Sequence, residues 1–487
     1  MPRGADGEAV LPAAVWAATP EAAQALIVAL VAGLAEVAAL REEVRELRAR
    51  VGQHSGNSSR PPSSDPPQAP RRSARPASGR ARGGQPGHVA HQRAMATPER
   101  VDRIVDHRPP ACVHCAAAMP ATAPSAGFVA HQVTEVPPVR AEVTEHRLHR
   151  VVCPTCGEDT RATLPADVPA GAFGPRLQAT VAVLAGQYHL SQRQVADVCG
   201  TLLDAPLAAS SVAGLCRDTA MALATPTATV RATLPAAPVV NADETRWPQA
   251  GRTQWLWVVV TRVATVFTIA ASRGSRVVKG LLGADYTGVV GSDRYSGYSW
   301  LDETCRQVCW AHLTRDLQAL VDRGGAAEPI GVAGLAVVHD LFTVWYRFRD
   351  GTLDRAGLLR QMQPVQDTLD TLVEVGLTCA DAKAVTLCRA LDRLWPALWT
   401  FVDAEGVEPT NNAAERALRP AVLWRKGSYG TQSEAGDRFV ERLLTVVATC
   451  QQHGRAVLDY LTDVCTAVQR GLSPPPLLPT LPLPTAG

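Results

Sequence analysis

The sequence predicts a multidomain α+β fold, and three observations carry that expectation. The chain has 487 residues; at roughly 100–200 residues per domain, two to four units are expected. Apolar residues make up 46% and charged residues 19%, so most of the chain has enough apolar surface to bury a core. Between residues 236 and 313 short β-prone runs cluster, while the segments on either side carry helical periodicity.

The first element is a helix over 21–51. Ile27, Leu30, Leu34 and Val37 step by three and four, and Leu40, Val44, Leu47 and Val51 repeat the step after a slip of phase. This is the spacing of a leucine-zipper-like coiled coil with a stammer. Glu42, Glu43, Arg45, Glu46, Arg48 and Arg50 fill the outer positions. A homo-oligomer is the expected consequence; a helix packed on its own domain is the alternative. The apolar run 22–35 is short for a membrane span. Arg3 is the one basic residue before it, offset by Asp6 and Glu8. A cytoplasmic chain without a membrane partner is therefore expected.

Residues 52–98 are rich in Pro, Ser, Gly and Arg and lack apolar periodicity, which predicts a disordered basic linker. From residue 60 to 93 there are seven Arg against one acid, Asp65. The net charge of +2 hides this asymmetry. Arg71, Arg72, Arg75, Arg80 and Arg82 are its candidate contacts to a polyanion such as DNA. The plain alternative is a solvated linker.

Residues 99–165 hold two C-x-x-C pairs, Cys112/Cys115 and Cys153/Cys156. Each pair presents two thiolates from a tight turn, and two such turns complete a tetrahedral site for one structural Zn2+. A zinc-ribbon-like domain is expected, with metal binding supplying folding energy that so small a core lacks. His114 is an alternative ligand, and a redox pair is the competing reading. The β-prone runs 132–136 and 143–148 should return the chain between the pairs. The other eight Cys lie among apolar segments and read as buried thiols.

Residues 172–235 read as helices with Arg176, Arg193 and Arg217 at polar positions, a candidate DNA-binding unit. Strands are then expected at 239–243, 255–261 and 263–271, with a tight turn at Thr261-Arg262. A helix at 276–282 and strands at 289–293 and 307–312 follow. Three leading strands, a helix and further strands is the order of a ribonuclease-H-like core, here spanning 236–435. A helical insertion is expected at about 314–405, and a helix from 410 that Pro420 should end. A C-terminal helix over 437–470 and a disordered Pro-rich tail over 474–487 complete the chain.

Three carboxylates stand at element ends in this scheme. Asp243 ends the first strand, Asp293 ends the fourth, and Glu415 lies about one turn into the helix from 410. Convergent carboxylates from separate rigid elements suit two-metal phosphoryl transfer, with Mg2+ (or Mn2+) as the oxygen-seeking ions. Arg416, Arg419, Arg425 and Lys426 follow Glu415 and are candidate grips on DNA phosphates; ordinary surface charge is the alternative. Asn411 and Asn412 read as N-cap residues. Trp310 and His312 follow a strand and could lie near the metals.

These residues together resemble the transposases of the insertion-sequence-66 family. The resemblance runs from the zipper-like N-terminus through the string 57–65 and Gly83-Gly84-Gln85-Pro86-Gly87-His88 to the two C-x-x-C pairs. It continues through Ala242-Asp243-Glu244-Thr245, Asp293-Arg294-Tyr295-Ser296-Gly297-Tyr298 and Trp310-Ala311-His312. It ends at 411–420, from Asn411-Asn412 through Glu415-Arg416 to Arg419-Pro420. It implies a transposase with a ribonuclease-H-like core, interrupted by a helical insertion. It maps the metal-binding triad onto Asp243, Asp293 and Glu415. It also implies DNA, as element ends and target, for a partner, a bacterial cytoplasmic, nucleoid-associated setting, and accessory proteins of the same element as further candidates. Asn241 stands where the family often has His, Thr410 where it often has Asp, Arg294 in place of a small residue, and Ala116 in place of Gly. Two other readings use the same features: a DNA-binding regulator without catalysis, and a metal-dependent nuclease.

Overall fold

The computed structural model describes residues 10–51, 53, 54, 58 and 94–479. Most of the basic linker, with Arg71, Arg72, Arg75, Arg80 and Arg82, and the end of the Pro-rich tail lie outside the described residues. The chain divides into two compact units, one made of Arg72–Thr144 with Val198–Pro206 and the other of the remainder.

In the larger unit, α1 (Ala13–Ala18) and α2 (Glu21–Val51) come first. Leu30, Leu34, Val37, Leu40, Val44 and Leu47 of α2 are all exposed. Strands β1 (Arg150–Val152) and β2 (Asp159–Arg161) form an antiparallel pair. Among the described residues of 99–165 these are the strands; 132–136 and 143–148 are not strands, contrary to expectation. Those runs stay largely exposed, so no buried face rewards their alternation.

Helices α3 (Pro175–Gly186), α4 (Gln192–Leu203), α5 (Ala209–Ala222) and α6 (Ala224–Ala232) lead into the sheet. Its strands are β3 (Val239–Gln249), β4 (Arg252–Val260), β5 (Thr265–Ala270), β6 (Val289–Ser292) and β7 (Arg306–Val308), with α7 (Ser275–Leu282) between β5 and β6. The spatial order is β5-β4-β3-β6-β7. β3, β4 and β5 pair antiparallel, while β6 and β7 continue parallel to β3. β3 runs well past residue 243 because it pairs with β4 as far as Gln249↔Arg252. The two-residue turn places Ala250 at φ +46° and Gly251 at φ +78°, the left-handed pair such hairpins require.

The chain then makes α8 (Trp310–Arg323), α9 (Glu328–Arg349), α10 (Arg355–Leu377), α11 (Ala382–Arg393) and α12 (Trp395–Asp403). The run 307–312 is thus strand only through Val308, and Trp310 and His312 open α8. These helices share a core built on Trp310, Leu341, Met362, Leu398 and Phe401. Two segments, Glu21–Arg45 and Gly325–Arg349, are long and apolar enough to cross a membrane. The second contributes Ile330, Val337 and Leu341 to that helical core, as the core helix of a soluble domain would. α12 is fastened to β7: Thr400 Oγ1 donates to the Arg306 carbonyl (2.5 Å), and Gln307 Oε1 accepts the Phe401 N–H (2.8 Å).

Helix α13 (Asn412–Ser428) runs straight through Pro420, which was expected to end it. Proline forfeits one backbone hydrogen bond there. Leu418 and Ala421, on either side, are buried against Trp247 and Leu256 of the sheet, and that packing carries the helix across. Gly430 (φ +94°) follows, where a Cβ would sit 2.0 Å from the Pro248 carbonyl oxygen; only glycine fits.

The expected single helix 437–470 is two, α14 (Glu434–Gln452) and α15 (Val457–Gln469), broken at Gly454 with φ +63°. α14 lies along the edge of β5. Glu441 accepts the Ile269 N–H, Thr445 Oγ1 the Phe267 N–H (3.0 Å) and Thr449 Oγ1 the Thr265 N–H (3.2 Å). Four-residue helical spacing meets two-residue strand spacing there. The start of the tail is also held: Leu477 is buried, Arg455 Nη1 donates to its carbonyl (2.7 Å), and Tyr460 donates to the Pro475 carbonyl (3.1 Å).

Candidate active site

Strand pleat divides two neighbouring acids. Residues alternate faces along β3, so Asp243 shares a face with Thr245 and Trp247, the face that α13 covers. Glu244 points the other way. Asp243 is in mid-strand, not at a strand end. The parallel pairing of β3 with β6 stops at Asn241↔Gly291, so Asp243 stands just beyond the last pair, level with Asp293 at the end of β6.

Asp243 Oδ1 accepts the Glu244 N–H at 2.8 Å, and Asp293 Oδ1 accepts the Tyr295 N–H at 2.9 Å. Burial pushes the Asp243 carboxyl well above the usual range, and the charges of Glu244, Asp293 and Glu415 push it further. Asp243 thus lies within electrostatic reach of both Asp293 and Glu415. Their oxygen donors fit hard divalent cations such as Mg2+.

Glu415 is carried in the first turn of α13. Asn411 is the N-cap of this helix, as expected, but its side chain makes no cap hydrogen bond. Its fully buried amide reaches across instead, Nδ2 donating to the Ala242 carbonyl at 2.8 Å. Its backbone N–H points at Cys309 Sγ (3.1 Å), and Trp310 N–H donates to the Pro409 carbonyl (2.9 Å). The start of α8 is therefore docked beside the start of α13. Arg315 Nη2 lies 3.3 Å and His312 Nδ1 3.4 Å from Glu415 Oε1. Burial, then the Arg315 charge, hold the His312 imidazole below its usual pKa. Burial pushes the Cys309 thiol up to about 11.

On the opposite face lies a network that the sequence reading missed. Glu244, its side chain 1% exposed, accepts Arg273 Nε at 2.8 Å and the Tyr298 hydroxyl at 3.0 Å. Arg273 lies over the Tyr295 and Trp255 rings, at 3.9 and 4.8 Å. Burial, then the Asp293 charge, raise the Glu244 carboxyl. A motif of Asp followed by Glu on a β-branched strand was the available signal: alternation sends the second acid to the other layer, where it needs its own cation.

Of the basic residues after Glu415, Arg416, Arg419 and Lys426 are exposed. Arg425 is turned onto β3, where Nη1 donates to Thr245 Oγ1 (3.0 Å) and to the Arg246 carbonyl. Arg294 donates to Asp316 at 2.6 Å, so the residue that departs from the family pattern has a partner on α8.

The C-x-x-C pairs fall in different compact units, Cys112 and Cys115 in the smaller and Cys153 and Cys156 in the larger. Each makes the same turn. Cys112 N–H donates to the Ala117 carbonyl and Ala116 N–H to the Cys112 carbonyl, both 2.9 Å. Cys153 N–H donates to the Glu158 carbonyl (2.8 Å) and Gly157 N–H to the Cys153 carbonyl (2.9 Å). Ala116 (φ +57°) takes the left-handed position that Gly157 (φ +78°) fills in the second turn. Backbone N–H groups of His114 and Cys115 lower the Cys112 thiol, and those of Cys156 and Thr155 bring Cys153 to about 7. Each turn suits a metal-bound thiolate pair.

Residues 170–438 match the family described as Transposase IS66 family, and residues 11–94 match a family of unknown function (DUF6444). The first match includes Asp243, Asp293 and Glu415. Two proteins of Sinorhizobium fredii (strain NBRC 101917 / NGR234) are similar. "Uncharacterized protein y4qI" is 26% identical over 261 residues, 48% of this chain and 48% of its own length. "Uncharacterized protein y4hP" is 24% identical over 404 residues, 75% of this chain and 72% of its own length. The chain thus spans about half the length of the first relative.

Proposed function

The chain belongs to the transposase IS66 family, and from that premise we propose that it binds the ends of its mobile element and cuts and rejoins DNA strands at Asp243, Asp293 and Glu415. Family membership supports a transposase role, with DNA as partner and divalent metal in use. The observation that carries the finer reading is the Asp243 carboxyl, raised by burial and by the charges of Glu244, Asp293 and Glu415. Like charges brought together from separate elements call for a cation.

A ribonuclease-H-like core is supported by three antiparallel strands continued by two parallel ones in the order β5-β4-β3-β6-β7. Helices α8–α12, standing between β7 and α13, match a helical insertion. Asp243, Asp293 and Glu415 would hold two Mg2+ or Mn2+ ions, which supply an activated hydroxyl nucleophile and stabilise the leaving oxygen. The chain's own residues do the positioning. Asn411 ties α13 to β3, Arg315 steadies Glu415, and Arg273 balances Glu244 behind the strand. Arg416, Arg419 and Lys426 are placed to meet phosphates, while Arg425 holds β3.

The basic linker would track the DNA backbone without reading bases, and the cysteine turns would hold structural Zn2+. The exposed apolar seam of α2 favours a homo-oligomer. The setting is the bacterial cytoplasm at the nucleoid, with accessory proteins of the element as further partners.

The test is strand cleavage and transfer with Mg2+ on the element's own ends. Wild-type chain should cut and join, and Asp243→Asn and Asp293→Asn should bind the ends without cutting. Binding without cleavage by the wild type would instead favour a regulator, and cleavage without joining a nuclease.

A further inference from the structure

Cys309, His312 and Glu415 bring one sulfur, one nitrogen and one oxygen donor within 4.8 Å of one another. The backbone arranges this. Cys309 precedes α8 and His312 is in its first turn, so both face the start of α13, where Glu415 sits one turn in. His312 Nδ1 is buried, 3.4 Å from Glu415 Oε1, yet not aligned as a hydrogen bond. Cys309 Sγ receives the Asn411 N–H, the kind of backbone contact that also meets Cys112 and Cys153. Asn411 Oδ1, on the residue touching that sulfur, is buried without a partner. Two buried polar atoms left without a hydrogen-bond partner beside a thiol and a carboxylate mark a place where a ligand is missing.

We propose that Cys309, His312 and Glu415 form a binding site for a borderline-soft divalent ion, Zn2+ above all, which uses the same carboxylate as the Mg2+ reading of the active site. The donor chemistry decides the ion. Mg2+ seeks oxygen and keeps its waters, whereas a thiolate and an imidazole select Zn2+ over it. Three protein ligands with a fourth position open to water is a common Zn2+ arrangement. Ligand bonds of about 2.0–2.3 Å put tetrahedral donors nearer together than the 4.8 Å limit seen here, so binding draws the two helix starts slightly inward. It also draws Glu415 Oε1 away from Asp243 and Asp293. The same residue would then serve an active ion pair or the Zn2+ site, and not both at once.

This inference goes beyond the strand-cutting reading, and its test needs no DNA. The full-length chain is equilibrated with Zn2+, dialysed, and its bound metal counted; Co2+ then replaces Zn2+ to report thiolate ligation by its charge-transfer absorption. Cys309→Ser and His312→Gln should each lose about one equivalent relative to wild type, and Cys309→Ser should lose part of the charge-transfer band. Equal counts in wild type, Cys309→Ser and His312→Gln would overturn the site. Should Cys309→Ser not fold, His312→Gln alone decides. A wild-type chain that cuts no DNA but shows the extra equivalent would sink the catalytic reading and leave this one standing.

Discussion

Asn411 Nδ2 donates to the carbonyl oxygen of Ala242 at 2.8 Å, joining the residue ahead of helix α13 to the residue ahead of Asp243. The two acids farthest apart in the sequence are therefore held by one buried hydrogen bond between their immediate supports. Asn411→Ala removes this donor and strands a buried carbonyl, at a cost of about 1–3 kcal/mol. Urea denaturation should show the lowered midpoint, and DNA cleavage should fall while DNA binding persists. An unchanged midpoint with full cleavage would show that the tether does not matter.

Glu415 and Glu441 are both helical acids in the last part of the chain, but they face different tasks. Glu441 is buried, accepts the Ile269 N–H and pairs with Arg438 at 2.7 Å. Glu441→Gln should lower stability by about 1–3 kcal/mol and leave the folded protein able to cut DNA. Glu415→Gln should remove cutting with little change in melting. Cleavage by Glu415→Gln at the wild-type rate, with none by Glu441→Gln, would reverse the assignment of the third metal ligand.

The two cysteine turns are alike in hydrogen bonding, and each presents a thiolate pair suited to zinc. Cys112→Ser and Cys153→Ser should each release about one Zn2+ per chain and lower the melting temperature. Metal analysis of the purified variants checks this. Zinc content unaffected by both substitutions would mean that neither turn binds zinc.

Leu30, Leu34, Val37, Leu40, Val44 and Leu47 line α2 in the open. Removing residues 1–52 should therefore reduce the oligomer seen by light scattering, because the seam is left exposed among the described residues. An oligomer that survives the deletion would assign association to another surface.

What was legible in the sequence follows from which signals are local. The acids Asp243, Asp293 and Glu415 stood out because apolar strands and a helix start lead directly to them. The length of β3 did not, because its hairpin turns on Ala250, a residue with no turn signature, and tolerates Pro248 inside the strand. Pro420 was read as a stop, but the burial of Leu418 and Ala421 is a tertiary fact that no local pattern contains. The two-helix C-terminus hung on the left-handed Gly454, one of 37 glycines. Cys309 was passed over as one buried thiol among several. Its nearness to Glu415 depends on five helices returning the chain to where it left the sheet.

The sheet is finished at both margins by side chains rather than by further strands. On one margin Glu441, Thr445 and Thr449 occupy the outward N–H groups of β5, and on the other Thr400 takes the Arg306 carbonyl of β7. Unpaired margins are where sheets recruit foreign strands and grow without limit. With those positions spoken for, copies of this chain crowded together on one stretch of DNA are protected from fusing into a continuous cross-molecular sheet, and a substitution such as Thr445→Val would show its cost as precipitation before it showed it as lost chemistry.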